Sequence, residues 1–361
     1  MKHLENGEFK MNVDNIKFGL DTFGDVAYDK ETGKRVSYEE SIRGVIEEAK
    51  LADELGIDII TFGEHHRAEY SISSPEIIMA ALATVTKNIT LGTGVTVLSS
   101  DDPIRLYQRF ATLDAISEGR TQVMLGRGSF TESYRLFGYD LQDYDELFEE
   151  KTALFAKLIE GGPVTWEGKF TPTLNEQDVY PKMTEREMDV NIGVGGTPES
   201  VVRAAHYGFP LMLAIIGGSP TRFKPYIELY KRAAEEFGKP VHPVGMHSPG
   251  IIAETDEEAR ALGMKYLVPN MNLTGLDRGW QPMTKEQFDF QVDRGAYYIG
   301  NPETVAQKIA KVIKDTGIER FDLVYGMGGF TPEERLKNIE LYGKVVIPRV
   351  KEILREGDQV E

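Results

Sequence analysis

Eight times along the chain a short apolar run gives way to a longer amphipathic one, and this alternation limits the fold more than any other feature. A short apolar run bounded by turn residues reads as a strand buried on both faces, and an amphipathic run reads as a helix covering it. Strands are predicted at 16–20, 57–62, 89–98, 121–125, 189–194, 210–215, 245–253 and 320–325. Helices are predicted at 38–55, 75–86, 103–116, 145–160, 198–207, 221–237, 256–265, 302–316 and 332–346. Local signals mark several ends: Ser37 as an N-cap, Gly56 as a stop, Pro75 in a first turn. Repeated strand–helix units with no reversal imply a parallel sheet covered by helices. Eight such units favour a closed (β/α)8 TIM barrel over an open doubly wound sheet.

Two stretches interrupt the pattern. Residues 163–181, after the fourth strand, contain Trp166, Gly168, Lys169 and Pro181 and suggest a hairpin. Residues 266–298, after the seventh strand, read as irregular and polar. Both are expected to be insertions in βα loops. With no repeat, low-complexity run or Pro/Gly/Ser linker, residues 1–361 are expected to form a single barrel domain, with 1–15 as an N-terminal extension.

The formal net charge is −17, from 41 basic and 58 acidic residues, so neither nucleic acid nor an anionic membrane is expected as a partner. The absence of cysteine removes disulfides, thiolate metal sites and cysteine nucleophiles. Residues 1–15 lack an apolar signal-peptide core, and no run reaches the roughly 20 apolar residues of a membrane helix. A cytoplasmic protein is expected.

Active sites of such barrels lie at the C-terminal ends of the strands. The second strand is followed by Gly63-Glu64-His65-His66-Arg67. These ionisable groups would suit a site facing a ligand, or a hydrogen-bonded rim network. Metal binding would require further histidine or carboxylate ligands at other strand ends. His206 falls in a predicted helix, so no metal is expected. The third strand carries Gly92-Thr93-Gly94-Val95, whose glycines mark either close approach or packing room. The fourth ends in Leu125-Gly126-Arg127-Gly128-Ser129, where an arginine between glycines could reach a phosphate or occupy a surface turn. The fifth ends in Gly195-Gly196-Thr197-Pro198-Glu199-Ser200, with Thr197 as a possible cap and Pro198 in the first helical position. A helix start of this kind offers N–H groups and a positive dipole to an anion, though a well-capped connection would look the same. Glycines also crowd the sixth and eighth strand ends, at Gly217-Gly218 and Gly326-Met327-Gly328-Gly329.

In order, these motifs resemble those of the bacterial luciferase-like flavin monooxygenase family. The residues that carry the resemblance are Glu64-His65-His66, Gly92 to Val95 with Asp102-Pro103-Ile104-Arg105, Ser117-Glu118-Gly119-Arg120, Arg127-Gly128, Gly195 to Ser200, and Ile299-Gly300-Asn301-Pro302-Glu303. The resemblance runs from about 16 to 348. It implies a TIM barrel holding FMN at the C-terminal rim, with the phosphate gripped by Arg127 and by the helix start from Thr197 to Ser200. Gly94-Val95 matches a non-prolyl cis peptide beside the isoalloxazine ring. His65 matches a histidine implicated in the luciferase reaction, with Glu64 or His66 to orient it. Two departures stand out. Gly195 and Gly196 replace side chains that contact the phosphate in luciferase, so backbone N–H groups must do more here. The 266–298 stretch corresponds to a mobile lid there but is unlike it in sequence, so neither an aldehyde substrate nor light emission carries over.

The resemblance therefore implies an oxidoreductase that takes reduced FMN as a co-substrate from a separate flavin reductase. With dioxygen it would oxygenate a small organic substrate, and it would work as a homodimer. His65 is the candidate acid/base, since imidazole exchanges protons near neutrality. The 266–298 stretch with Trp280 is the candidate lid. A deazaflavin-dependent hydride-transfer enzyme, a metal-dependent barrel hydrolase and a non-catalytic flavin-binding protein are the alternative readings.

Overall fold

The computed structural model describes residues 12–29, 31–128, 130–276 and 279–357. Most of the expected N-terminal extension, and Ser129, lie outside the described residues. The strands are β1 (Lys17–Thr22), β2 (Ile59–Phe62), β3 (Thr90–Thr93), β4 (Thr96–Val97), β5 (Thr121–Gly126), β6 (Val164–Trp166), β7 (Leu174–Gln177), β8 (Asp189–Val194), β9 (Leu211–Ala214), β10 (Gly245–Ile252), β11 (Tyr298–Gly300) and β12 (Arg320–Val324). Eight of them, β1, β2, β3, β5, β8, β9, β10 and β12, pair in that order, each parallel to the next. β12 returns to β1 and closes the (β/α)8 barrel. β4 continues β3 after a break and pairs with β5. β11 lies outside the barrel, along β10. β6 and β7 form the antiparallel hairpin expected within 163–181.

The helices begin where the sequence provides caps. Ser37 and Glu40 form a capping box at the start of the helix Tyr38–Glu54, and Thr331 and Glu334 form another at Pro332–Leu341. Such boxes satisfy N–H groups that a helix start leaves unpaired. Alternate strand residues, including Leu20, Ile60, Leu91, Val123, Ile192, Leu213 and Leu323, are buried in one large apolar core. The intervening residues fill the barrel axis. Near its lower end Arg320 bonds Gln122 at 2.6 Å, and Gln122 bonds Asp189 at 2.7 Å. Arg320 also grips Asp322 through Nε, at 2.9 and 3.1 Å. This polar plug closes the bottom of the barrel.

The 266–298 stretch is not irregular. The helix Asp256–Leu262 runs through a π turn, Gly263–Leu267, into a second helix, Val268–Leu276. Another helix, Lys285–Asp293, has its own capping box, Thr284 with Gln287. Pro269, Asn270, Asn272 and Gly275 argue against a helix by propensity. Packing overrides them: Tyr266, Leu267, Val268 and Met271 join Phe288, Val292, Tyr297 and Phe330 in a second apolar cluster. The π turn ends immediately before Val268-Pro269. The same arrangement recurs at the C-terminal end, where the π turn Tyr342–Val346 precedes Ile347-Pro348 and the helix continues to Gly357 instead of stopping at 346. A proline inside a helix lacks an N–H and its ring strikes the carbonyl four residues earlier. The wider π turn relieves both problems, so neither proline ends its helix.

Among the described residues no helix is long and apolar enough to cross a membrane.

Candidate active site

Between β3 and β4 the Gly94–Val95 peptide is cis. Val95 lies against Gly126 and Gly193. A Cβ on Gly126 would stand 2.5 Å from Val95 Cγ2, and one on Gly193 would stand 2.8 Å from Val95 Cγ1. A Cβ on Gly94 would be 2.9 Å from both Asp21 Oδ1 and Thr61 Oγ1. These glycines are therefore required by close approach. Above them a cavity of about 300 Å³ opens at the C-terminal ends of the strands. Glu64, His65, Gly94, Val95, Arg127, Gly195 and Ser200 all line it. His66, Gly196 and Thr197 stand behind that wall.

One edge of the cavity is cationic. Arg127 follows β5 and donates from Nη2 to Ser200 Oγ at 3.2 Å and from Nη1 to Asp145 at 2.7 Å. Its guanidinium carbon lies 5.1 Å from the centre of the Tyr144 ring. Ser200 sits in the first turn of the helix Pro198–Tyr207. Its hydroxyl also receives Thr197 Oγ1 at 2.8 Å and Arg203 Nη1 at 3.4 Å. Thr197 occupies the N-cap position, but its side chain makes no capping bond; the hydroxyl is turned to Ser200 instead. The preceding Gly196 has φ of 113°, a conformation that disfavours other residues, and a Cβ on Gly195 would meet nothing within 4 Å. Two guanidiniums, a hydroxyl and a helix N-terminus thus converge on one point.

The His65 ring is enclosed by aromatic rings: Phe23 and Phe130, each with a centroid 5.0 Å away, and Tyr70 at 4.5 Å. Its backbone N–H bonds Ile72 O at 3.0 Å. Glu64 bonds His66 and the backbone. Its Oε1 meets His66 Nε2 at 3.0 Å, and its Oε2 accepts the Val97 N–H at 3.0 Å. Glu64 therefore pins the chain just past the cis peptide. His66 packs edge-on to Phe137.

The structure adds residues that motif reasoning missed. His247 on β10 lines the cavity, and its Nδ1 lies 2.5 Å from Asp21 Oδ2 on β1. Arg203 joins the cationic edge. It lies three residues after Ser200, so helical spacing alone would have put it on that face. Met271 and Thr274 reach the cavity from the helix Val268–Leu276. Trp280, the expected lid residue, does not line it; this side chain is 44% exposed and stands over Gly275. A larger hollow of about 430 Å³ lies beside Gly328 and Gly329, lined by Asp25, Tyr28, Lys265, Tyr266 and Glu334. It contains none of the converging donors.

A family model described as luciferase-like monooxygenase matches residues 17–320. Limonene 1,2-monooxygenase from Rhodococcus erythropolis is 30% identical over 308 residues, covering 82% of this chain and 78% of that protein. Two solved structures share the fold. One is a type II Baeyer–Villiger monooxygenase in complex with FMN, the oxygenating constituent of 3,6-diketocamphane monooxygenase from Pseudomonas putida. It superposes with a TM-score of 0.73 at 22% identity, over 93% of this chain and 98% of that one. The other is an F420-dependent secondary alcohol dehydrogenase in complex with an F420-acetone adduct, with a TM-score of 0.71 at 21% identity over 93% and 99% of the two chains. The chain belongs to the luciferase-like monooxygenase family, whose model spans its barrel from β1 to the start of β12.

Proposed function

We propose that the chain is a flavin-dependent monooxygenase that takes reduced FMN as a co-substrate and oxygenates a small organic substrate with dioxygen. The observation that carries this reading is the convergence of Arg127 and Arg203 on Ser200, at a helix N-terminus on one edge of the cavity. That donor set fits a phosphate in charge, geometry and dipole. Gly126 and Gly193 leave room for Val95, and with Gly94 and Gly195 they make a low apolar wall that fits a flat ring. The solved relative that holds FMN supports the same reading.

Arg127 and Arg203 would hold the phosphate, sharing it with the carboxylates of Asp145 and Glu149 that bind them in its absence. When bound, reduced flavin supplies the activation of dioxygen, which no side chain here can perform alone. Val95 would support the ring. His65 would hold and return a proton from the cavity wall, while Phe23, Tyr70 and Phe130 fix its ring and exclude water. Met271 and Thr274 cover the cavity from the insertion side. A separate reductase supplies the reduced flavin, the working unit is a homodimer, and the setting is cytoplasmic; all three belong to the proposal.

The test is calorimetric titration with oxidised FMN, anaerobically reduced FMN and F420. Tight binding of reduced FMN with weak binding of oxidised FMN is expected. Tight F420 binding without FMN binding would select hydride transfer instead. Equally tight binding of oxidised FMN, with no oxygen-dependent product, would select a flavin-storage protein.

A further inference from the structure

We propose that Asp21 and His247 form a proton-bearing pair on the cavity floor, through which the protein favours reduced over oxidised flavin. The inference rests on the FMN reading above and extends it to two residues that the strand-end motifs do not include.

The pair spans the barrel interior. Asp21 is on β1 and His247 on β10, with β12 between them. Their side chains nevertheless meet at 2.5 Å, Nδ1 to Oδ2. Asp21 is 1% exposed and His247 8%. By accepting from Nδ1, Asp21 fixes a proton there and turns Nε2 toward the cavity. Among the described residues the His247 ring has no other hydrogen bond, so a histidine more than nine-tenths buried lines the cavity with one ring nitrogen lacking a protein partner.

The surrounding charges favour a proton on the pair. Asp21, Asp189, Asp322, Arg320 and His247 are the ionisable groups gathered on this part of the axis. Arg320 is bound to Asp322 through Nε and Nη2. Asp21 retains a buried Oδ1 with no partner. A buried carboxylate is costly unless an opposite charge lies beside it, and His247 is the group in contact. In the proposed arrangement His247 carries a proton on each ring nitrogen, so that Nδ1–H meets Asp21 and Nε2–H is a donor to whatever fills the floor.

Depth decides what that is. His247 is the third residue of the eight-residue β10, well below the strand ends. The phosphate grip sits at the rim, after β5 and β8. A ligand anchored there by its phosphate turns its other end, the ring, toward the floor. Reduced flavin carries more electron density on that ring and readily becomes an anion near neutral pH, whereas oxidised flavin is neutral. A charge-assisted hydrogen bond from Nε2 therefore favours the reduced form. Asp21 is a positioning residue, because it acts through His247.

Anaerobic calorimetry with oxidised and reduced FMN on wild-type protein, His247→Gln and Asp21→Asn tests the proposal without any turnover assay. Wild-type protein should prefer reduced FMN by roughly tenfold to a hundredfold. His247→Gln should lose at least about tenfold of that preference while its affinity for oxidised FMN changes by less than about threefold. Asp21→Asn should lose an intermediate part, since it keeps an acceptor for Nδ1 but not the charge. A variant that retains the wild-type preference, or a wild type without one, overturns the pair's role and leaves the FMN reading intact. Failure of both redox states to bind overturns the FMN reading and this inference together. Imidazole nitrogen NMR on wild-type protein covers the case of unfolded variants. Nε2 of His247 must shift with reduced FMN more than with oxidised FMN, and equal shifts refute the proposal.

Discussion

Replacing Arg127 by methionine should weaken FMN binding by about tenfold to a hundredfold while leaving riboflavin binding within about twofold. Methionine keeps an apolar stem against Tyr144 and removes only the guanidinium. In the free protein the change costs little. The lost ion pair is with Asp145, whose side chain is 76% exposed, and pairs this exposed contribute about 1 kcal/mol or less. The bond to Ser200 Oγ is long, at 3.2 Å, and Thr197 still donates to that hydroxyl at 2.8 Å. The thermal midpoint should therefore move by no more than about 2–4 °C. The phosphate loses one charge-assisted contact, worth about 1.5–3 kcal/mol, which gives the stated range. Binding survives because Arg203 still reaches the same point. Riboflavin has the ring and ribityl chain but no phosphate, so its affinity reports on the rest of the cavity. Titration of both ligands in their reduced forms reads the difference directly. If riboflavin loses as much as FMN, Arg127 shapes the cavity and does not grip the phosphate. If neither ligand is weakened, the phosphate binds elsewhere.

Three further expectations concern neighbouring features. His65→Asn should leave reduced-FMN affinity within about threefold yet change the rate at which bound reduced flavin reacts with dioxygen in stopped flow; an unchanged rate removes His65 from proton exchange. Gly126→Ala should cost about 1–3 kcal/mol in urea unfolding, because its Cβ would stand 2.5 Å from a β-branched neighbour, and Val95→Ala in the same chain should recover most of it; no recovery would refute that contact as the cause. Burial pushes the Asp25 carboxyl up from 3.8 to about 6, against the pull of Arg335. A folded-state value above the unfolded one gives stability that is complete below about pH 4 and lost as pH rises through about 6. The gap corresponds to roughly 3 kcal/mol, so Asp25→Asn should stabilise the protein by up to that amount at pH 8 and by little at pH 4. A stability gain independent of pH would contradict the assignment.

The barrel was legible because each strand is a short apolar run set between turn residues, and every predicted barrel strand overlaps an observed one. Asp189–Val194 and the helices Pro198–Tyr207 and Pro302–Thr316 match to the residue. The strand-end candidates Glu64, His65, Arg127, Gly195 and Ser200 gather round one cavity, because a closed barrel brings all its strand ends to one face. Two kinds of feature escaped. The helix Val268–Leu276 contains residues that resist helix formation, and its packing on Phe288, Val292 and Phe330 offsets them; that partner surface comes from the next helix and, in Phe330, from beyond β12. Asp21 and His247 are 226 residues apart, so no spacing rule joins them. The available signal was a charged side chain at an inward position of a buried strand, as at Asp21, His247 and Asp322. Such a group is there for a polar partner, and closure of the barrel decides which one.

The second apolar cluster gives the insertion a core of its own. Phe288, Val292, Tyr297 and Tyr266 support one another, and among the described residues of that segment only Met271 and Thr274 reach the cavity. Changes among the supporting residues would be absorbed locally, while changes at the two contacting positions would reshape the cavity roof and leave the cationic edge untouched. Substrate choice and cofactor grip are thus free to drift at different rates. A lineage could acquire a new substrate through a few substitutions on one helix face, with the glycine wall and the two arginines inherited intact.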